Sequence, residues 1–234
     1  MMQAFLGPLS PEHLRCLGCG TAYAIVHGFP VVLPVGVPHA DAQDEALVRA
    51  MEGLPACPLQ ALLREQVASL RPPVLDMGCG IQDWGRPDIL GLDARLSFLK
   101  RRGGPGVVGD AQDPPFAPES FSAVCLFNLL DSVPNPVLVL AWADALLVPG
   151  GELLVAMPFA WSDVVPERLR FDWDTLVACL EGRSQAMGLR LRYAVHSQWR
   201  DVAWSGRGQG EPAFAVQVLR ATKGPPPTLP PLAP

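Results

Sequence analysis

Three aspartates recur at equal steps through the middle of the chain: Asp76, Asp93 and Asp110, each 17 residues from the next. Each closes a short apolar run: Val74-Leu75-Asp76, Ile89-Leu90-Gly91-Leu92-Asp93 and Val107-Val108-Gly109-Asp110. Gly78 and Gly80 follow the first aspartate and flank Cys79. An ionised carboxylate only accepts hydrogen bonds, and glycine lets a ligand approach bare backbone. Three carboxylates with glycines between them therefore suit a ligand rich in hydroxyl and amino donors. Further along, Asn128 and Asp131 follow another apolar run. They stand three apart, a spacing that one helical turn would bring to the same side.

The three acids can act together only if their strands emerge at one edge. Each apolar run reads as a buried strand of a parallel sheet, and ligands of open α/β sheets bind at the carboxyl edge. Residues 94–102 read as a short helix with Leu96 and Leu99 inward, and residues 121–127 as a fourth strand. Asn135 to Leu147 reads as a helix. The turn Val148-Pro149-Gly150-Gly151-Glu152 then leads into a fifth strand. Residues 172–181 form a helix in this reading. The alternating runs 189–194 and 214–219 are the last two strands, antiparallel neighbours, with His196, Arg200 and Trp204 in the loop between them. Only twelve residues separate Gly80 from Asp93, and Gly85 and Pro87 interrupt them. The first crossover is therefore expected to be an irregular turn, with Gln82, Asp83 and Trp84 beside the pocket mouth.

The run from Val74 to Gly80, with Asp93 and Asp110, resembles the nucleotide-binding signature of class I S-adenosylmethionine-dependent methyltransferases. The resemblance covers roughly residues 59–222. It implies a Rossmann-like seven-stranded methyltransferase fold, mostly parallel, with the last strand antiparallel. It implies that Gly78 and Gly80 approach the methionine part of the cofactor, that Asp93 takes the ribose hydroxyls, and that Asp110 with Ala111 contacts the adenine. Asp76, Cys79, Ala94 and Phe127 complete the implied cofactor set. The rival is a dinucleotide site. A GxGxxG pattern starting at Gly78 would need glycine at position 83, where the chain has Asp83, and a carboxylate there would repel a pyrophosphate.

The acceptor side carries a second likeness. Asn128-Leu129-Leu130-Asp131, with Phe159-Ala160-Trp161 later, resembles the mercaptohistidine N-methyltransferase domain and the protein-histidine N1-methyltransferases. This implies catalytic roles for Asn128 and Asp131 at an imidazole ring, with Asp131 accepting the N–H of one nitrogen. It implies substrate contacts for Phe159 and Trp161. The plainer alternative makes Asn128 and Asp131 a helix-capping pair and leaves the two aromatics as packing. The expected activity is methyl transfer from S-adenosylmethionine to a small molecule or a peptide side chain. Methylation of RNA bases and a silent cofactor-binding or scaffold protein are the alternatives.

Residues 1–40 read as a separate unit. Cys16 and Cys19 form a CxxC knuckle, followed by an alternating hairpin around Gly28. The segment looks like half of the zinc-ribbon-like module found ahead of many bacterial methyltransferase domains. A tetrahedral zinc site needs four ligands, and only one CxxC pair is present. His13, His27, His39 or Cys57 would have to complete it; otherwise the hairpin packs without metal. Residues 41–223 then form the methyltransferase domain, opening with helices at 41–53, capped by Asp41 or Asp44, and at 59–70. Residues 224–234 are expected to be a disordered proline-rich tail.

Composition narrows the partners. The chain has 234 residues, 49% apolar and 18% charged, which suits a globular protein. The net charge is −5, with 16 Arg and 2 Lys, and Lys100-Arg101-Arg102 is the sole basic run of three. That balance disfavours a long nucleic-acid partner. No apolar run approaches the length of a membrane span, and the start lacks the basic-then-apolar pattern of a signal peptide. A cytoplasmic protein whose six cysteines stay reduced is the expectation.

Overall fold

The computed structural model describes residues 6–10, 12–16, 20–33, 57–204 and 214–225. The expected helix at 41–53, Cys19 of the knuckle and the tail beyond Pro225 lie outside the described residues.

The chain is organised on β5 (Val74–Met77), a strand buried at every position. From it the chain steps outward through β6 (Ile89–Asp93), α2 (Leu96–Arg102) and β7 (Gly106–Val108). It then returns to the other side of β5 with β8 (Phe121–Phe127), α3 (Pro136–Leu146) and β9 (Leu147–Met157). A helix α4 (Trp173–Leu180) precedes the long hairpin β10 (Tyr193–Trp204) and β11 (Phe214–Lys223). The strand order is β10-β11-β9-β8-β5-β6-β7. The pairs β5/β6, β6/β7, β5/β8 and β8/β9 are parallel. β11 runs antiparallel to both β9 and β10. This is the expected seven-stranded, mostly parallel sheet with an antiparallel last strand. The strand order reverses at β5, between β6 and β8, so a crevice opens there at the carboxyl edge.

The two sheet faces follow from strand periodicity of two. Leu75, Val124, Leu126, Leu153 and Val155 pack with α3 and α4. Val74, Ala123, Cys125, Leu154 and Ala156 face the other way and pack with α1 (Pro58–Ala68), through Leu59, Leu63 and Val67. Arg220 of β11 ties this helix down. Its guanidinium forms a two-pronged pair with Glu152 of β9 (2.8 and 2.9 Å) and also reaches Gln66 and Ser69. α3 is capped by Asn135, whose side chain accepts the Leu138 N–H at 3.0 Å, so neither Asn128 nor Asp131 caps a helix.

Two local expectations are corrected. The sixth strand spans Tyr193–Trp204 rather than 189–194, and His196, Arg200 and Trp204 belong to it. Register shifts between Val195 and Ser197 and between Trp199 and Val202 break its alternation, which hides the strand in the sequence. The Pro149-Gly150-Gly151 segment lies inside β9, where the register jumps from Phe121↔Leu147 to Ala123↔Glu152. The expected hairpin around Gly28 is β3 (Ala22–Val26) with β4 (Phe29–Pro30), and it belongs to a four-stranded antiparallel sheet with β1 (Leu6–Ser10) and β2 (His13–Cys16). Val31 then bridges to Val108 in parallel, and the Val32 N–H donates to the Val108 carbonyl at 2.7 Å.

Candidate active site

β5 ends in the tight turn Gly78-Cys79-Gly80. The N–H groups of Gly78 and Cys79 both donate to the carbonyl of Leu92 (2.7 and 3.2 Å), which locks the turn to the end of β6. Gly78 sits at φ +68, and a Cβ there would lie 2.5 Å from Cδ1 of Leu129. The left-handed backbone thus favours glycine, and any side chain there would have to displace Leu129. Gly80 also has a left-handed φ, +55.

The Gly80 N–H donates to Asp93 Oδ2 at 2.9 Å, and the Arg95 N–H donates to Asp93 Oδ1 at 2.9 Å. Two backbone N–H groups therefore orient the Asp93 carboxylate at the mouth of the turn. Asp110 is held in the same way at the next strand end, where its Oδ1 accepts the Gln112 N–H at 2.8 Å. Asp76 lies deeper, 1% exposed. Its Oδ2 accepts from the Trp84 indole N–H at 2.7 Å, while its Oδ1 has no partner among the described residues. Burial pushes its pKa up to about 6, against the lowering effects of the Trp84 hydrogen bond and the nearby Arg102. Burial likewise raises the Cys79 thiol well above its ordinary value, so it is a packing group in the turn.

The crossover from Gly80 to Ile89 contains no helix, as expected, and three side chains hold it. Arg102, 4% exposed, donates from Nε to the Gln82 carbonyl at 3.1 Å. Trp84 is anchored on Asp76. Arg86 pairs with Asp88 and donates to the carbonyls of Val67 and Leu70 at the end of α1, the latter at 3.0 Å. The shortened crossover is thus a fixed wall between α1 and the glycine turn.

These elements enclose a cleft of about 970 Å³ at the carboxyl edge. All nine residues expected at the cofactor line it: Asp76, Gly78, Cys79, Gly80, Asp93, Ala94, Asp110, Ala111 and Phe127. Asn128 lines it too. Its backbone has φ +50, in the left-handed region, and its N–H donates to the Ala156 carbonyl at 2.8 Å. Its Oδ1 is buried with no partner among the described residues. Asp76 Oδ1 and Asn128 Oδ1 are the two buried side-chain polar atoms left unpaired there, and both are acceptors. Leaving such groups unmet is costly, so whatever fills the cleft must bring donors.

The sequence expected Asn128 and Asp131 side by side, and the structure separates them. Asp131 sits in a 3₁₀ turn over Leu130–Ser132, is 3% exposed and does not line the cleft. Its carboxylate accepts from the Ser132 hydroxyl at 3.3 Å, its carbonyl accepts the Ser162 N–H at 2.9 Å, and burial raises its pKa. Phe159 and Trp161 also lie off the cleft lining. They form an edge-to-face cluster with Phe171 and Trp173, with ring centroids 5.1–6.3 Å apart. The cleft is also lined by residues the sequence reading left out of the site: Leu59, Leu63 and Arg64 of α1, with Trp204 and Phe214, paired across β10 and β11. Trp84, read only as lying beside the mouth, lines it as well.

Among the described residues no group of three or more His, Cys, Asp or Glu is placed to hold a metal. Cys16 is buried in β2. No helix among the described residues is long and apolar enough to cross a membrane.

Residues 75–155 match the methyltransferase-domain family. No curated protein matches the chain in sequence. Solved structures with a similar fold include a Thermotoga maritima S-adenosylmethionine-dependent methyltransferase named as a possible histamine N-methyltransferase. It is 18% identical, with TM-score 0.54, over 76% of this chain and 95% of that one. The N-methyltransferase NodS from Bradyrhizobium japonicum, solved with S-adenosylhomocysteine, is 12% identical with TM-score 0.54, over 78% and 99% of the two chains. A structure from work on the conversion of a disulfide into a thioacetal during echinomycin biosynthesis is 16% identical with TM-score 0.52, over 76% and 89%. The methyltransferase-domain match thus covers the stretch from β5 to β9 that carries the glycine turn, and the solved structures share the fold around it.

Proposed function

We propose that the chain methylates a nitrogen of a small molecule or peptide side chain, an imidazole ring being the acceptor the site suits best. The observation that carries this reading is the buried, unpaired Oδ1 of Asn128, a residue that lines the cleft. It sits on a left-handed residue that a single backbone hydrogen bond ties to β9. Strained backbone of this kind clusters at functional sites. An amide oxygen accepts an N–H, and a neutral imidazole has one N–H and one free lone pair. Asn128 taking the N–H would fix the tautomer and leave the other nitrogen free to attack.

The cofactor half of the cleft fits its ligand by donor chemistry. Asp76 Oδ1 suits an ammonium group, and Asp93 suits vicinal hydroxyls. When bound, the cofactor supplies a methyl carbon on a positively charged sulfur. Asn128 would hold the ring's N–H while the free nitrogen takes the methyl group from sulfur, and that proton would then pass to water. A neutral imidazole, with a reference pKa of about 6.5, is already a nucleophile near neutral pH. The residues therefore need only align nucleophile, carbon and sulfur. Asp131 acts behind Asn128 in this reading, holding the 158–162 segment that flanks the strand ends. The names of the Thermotoga protein, a possible histamine N-methyltransferase, and of the Bradyrhizobium N-methyltransferase agree with nitrogen as the target.

The test is transfer of an isotope-labelled methyl group from S-adenosylmethionine to a panel of imidazoles, histidine peptides, aliphatic amines, thiols and RNA. Label on an imidazole nitrogen is the expected outcome. Label on oxygen, sulfur or RNA bases alone would overturn the nitrogen assignment.

A further inference from the structure

At about 970 Å³ the cleft lies at the upper end of the range for ligand sites, about 300 to 1,000 Å³. Its lining is of two kinds. The glycine turn, Asp93 and Asp110 are polar, while Leu59 and Leu63 of α1 and four aromatic side chains, Trp84, Phe127, Trp204 and Phe214, are apolar or aromatic. Trp84 and Phe127 meet edge to face, with centroids 5.3 Å apart at 63°. Trp204 and Phe214 meet at 5.7 Å and 43°. Trp84 cannot swing freely, because its indole N–H is held by Asp76. Phe214 is 46% exposed, a value exceeded among the large apolar side chains of the described residues only by Val164.

We propose that the aromatic part of this lining forms the acceptor compartment, and that it selects a planar aromatic ring, held between Trp84 and the Trp204–Phe214 pair with its N–H toward Asn128. This deepens the nitrogen-methylation reading and rests on it. Aromatic walls favour a flat ring beyond simple area burial, through offset and edge-to-face contacts. A saturated amine of similar size gains only the area term. The cluster of Phe159 and Trp161 cannot play this part, because its rings are spent on Phe171 and Trp173 on the other side of β9.

The experiment is calorimetry on the full chain saturated with S-adenosylhomocysteine, titrated with benzimidazole, imidazole and cyclohexylamine. Benzimidazole should bind at least tenfold tighter than cyclohexylamine. Trp204→Ala with Phe214→Ala should abolish that preference while leaving S-adenosylhomocysteine affinity unchanged. Should the double variant fail to fold, Phe214→Ala alone, at an exposed position, should reduce the preference severalfold. Equal binding of the two probes, or a preference that survives the substitutions, overturns the compartment while the cofactor reading stands. Failure of S-adenosylhomocysteine to bind at all overturns both.

Discussion

The indole of Trp84 donates its N–H to one oxygen of the buried Asp76 carboxylate, and the other oxygen of that carboxylate has no partner. An irregular crossover thereby reaches back over the strand it left and fixes the acid at the floor of the cleft. Asp76 has a pKa of about 6, above its reference value of 3.8, because burial outweighs the Trp84 bond. The folded state therefore binds the proton more tightly than the unfolded one. Ionisation costs stability, and the loss develops as pH rises from about 4 to about 6 and is complete above that. It amounts to about 3 kcal/mol for a shift of this size. Asp76→Asn should remove the term. Urea midpoints of wild type and variant, measured from pH 4 to 8, should show the variant gaining on the wild type through that window. Trp84→Phe should push the Asp76 pKa further up and move the window to higher pH.

Asp93 links the glycine turn to the start of α2 through two backbone N–H groups. Asp93→Ala should weaken S-adenosylhomocysteine binding more than tenfold by calorimetry, since both the ribose contact and the alignment of Gly80 are lost. The circular dichroism spectrum should be unchanged. Unaltered affinity would show that Asp93 does not meet the ribose.

At Asn128, side chain and backbone can be separated. Asn128→Gly suits φ +50 and removes the amide, whereas Asn128→Ala removes the amide and adds backbone strain. Both should lower kcat by roughly a hundredfold if the amide orients the acceptor. The alanine variant alone should lose roughly 1 kcal/mol of stability. A glycine variant with full turnover would reduce Asn128 to a backbone device.

The Arg220–Glu152 pair is only 15% exposed on either side and reaches α1 through Gln66 and Ser69. Arg220→Met should cost roughly 1–3 kcal/mol in urea unfolding, between the values for surface and buried pairs. It should also loosen the α1 wall, raising KM for the acceptor more than the dissociation constant for S-adenosylhomocysteine.

The glycine-turn side of the cleft was legible because its pattern is local. An apolar run that ends in an acid, then glycine two apart, is written in consecutive residues, and the sheet only has to align three such runs. The other walls were not, because they come from α1, the crossover and the last hairpin, and Leu59 and Phe214 stand 155 residues apart in the sequence. The Asn128–Asp131 spacing suggested a shared face, but Asn128 adopts a left-handed φ before the 3₁₀ turn begins, so the two side chains part. β10 was misplaced because its bulges scramble the period-two pattern that marks a strand.

The contact of Val31 and Val32 with Val108 has a bearing on how this protein keeps from sticking to itself. β7 is the outermost parallel strand, and its Val108 carbonyl would otherwise face solvent as a template for another chain. By laying its N-terminal segment along that margin, the molecule seals the rim beside Asp110. A version trimmed before Leu33 would bare it, and the first symptom would be self-association and precipitation rather than loss of chemistry.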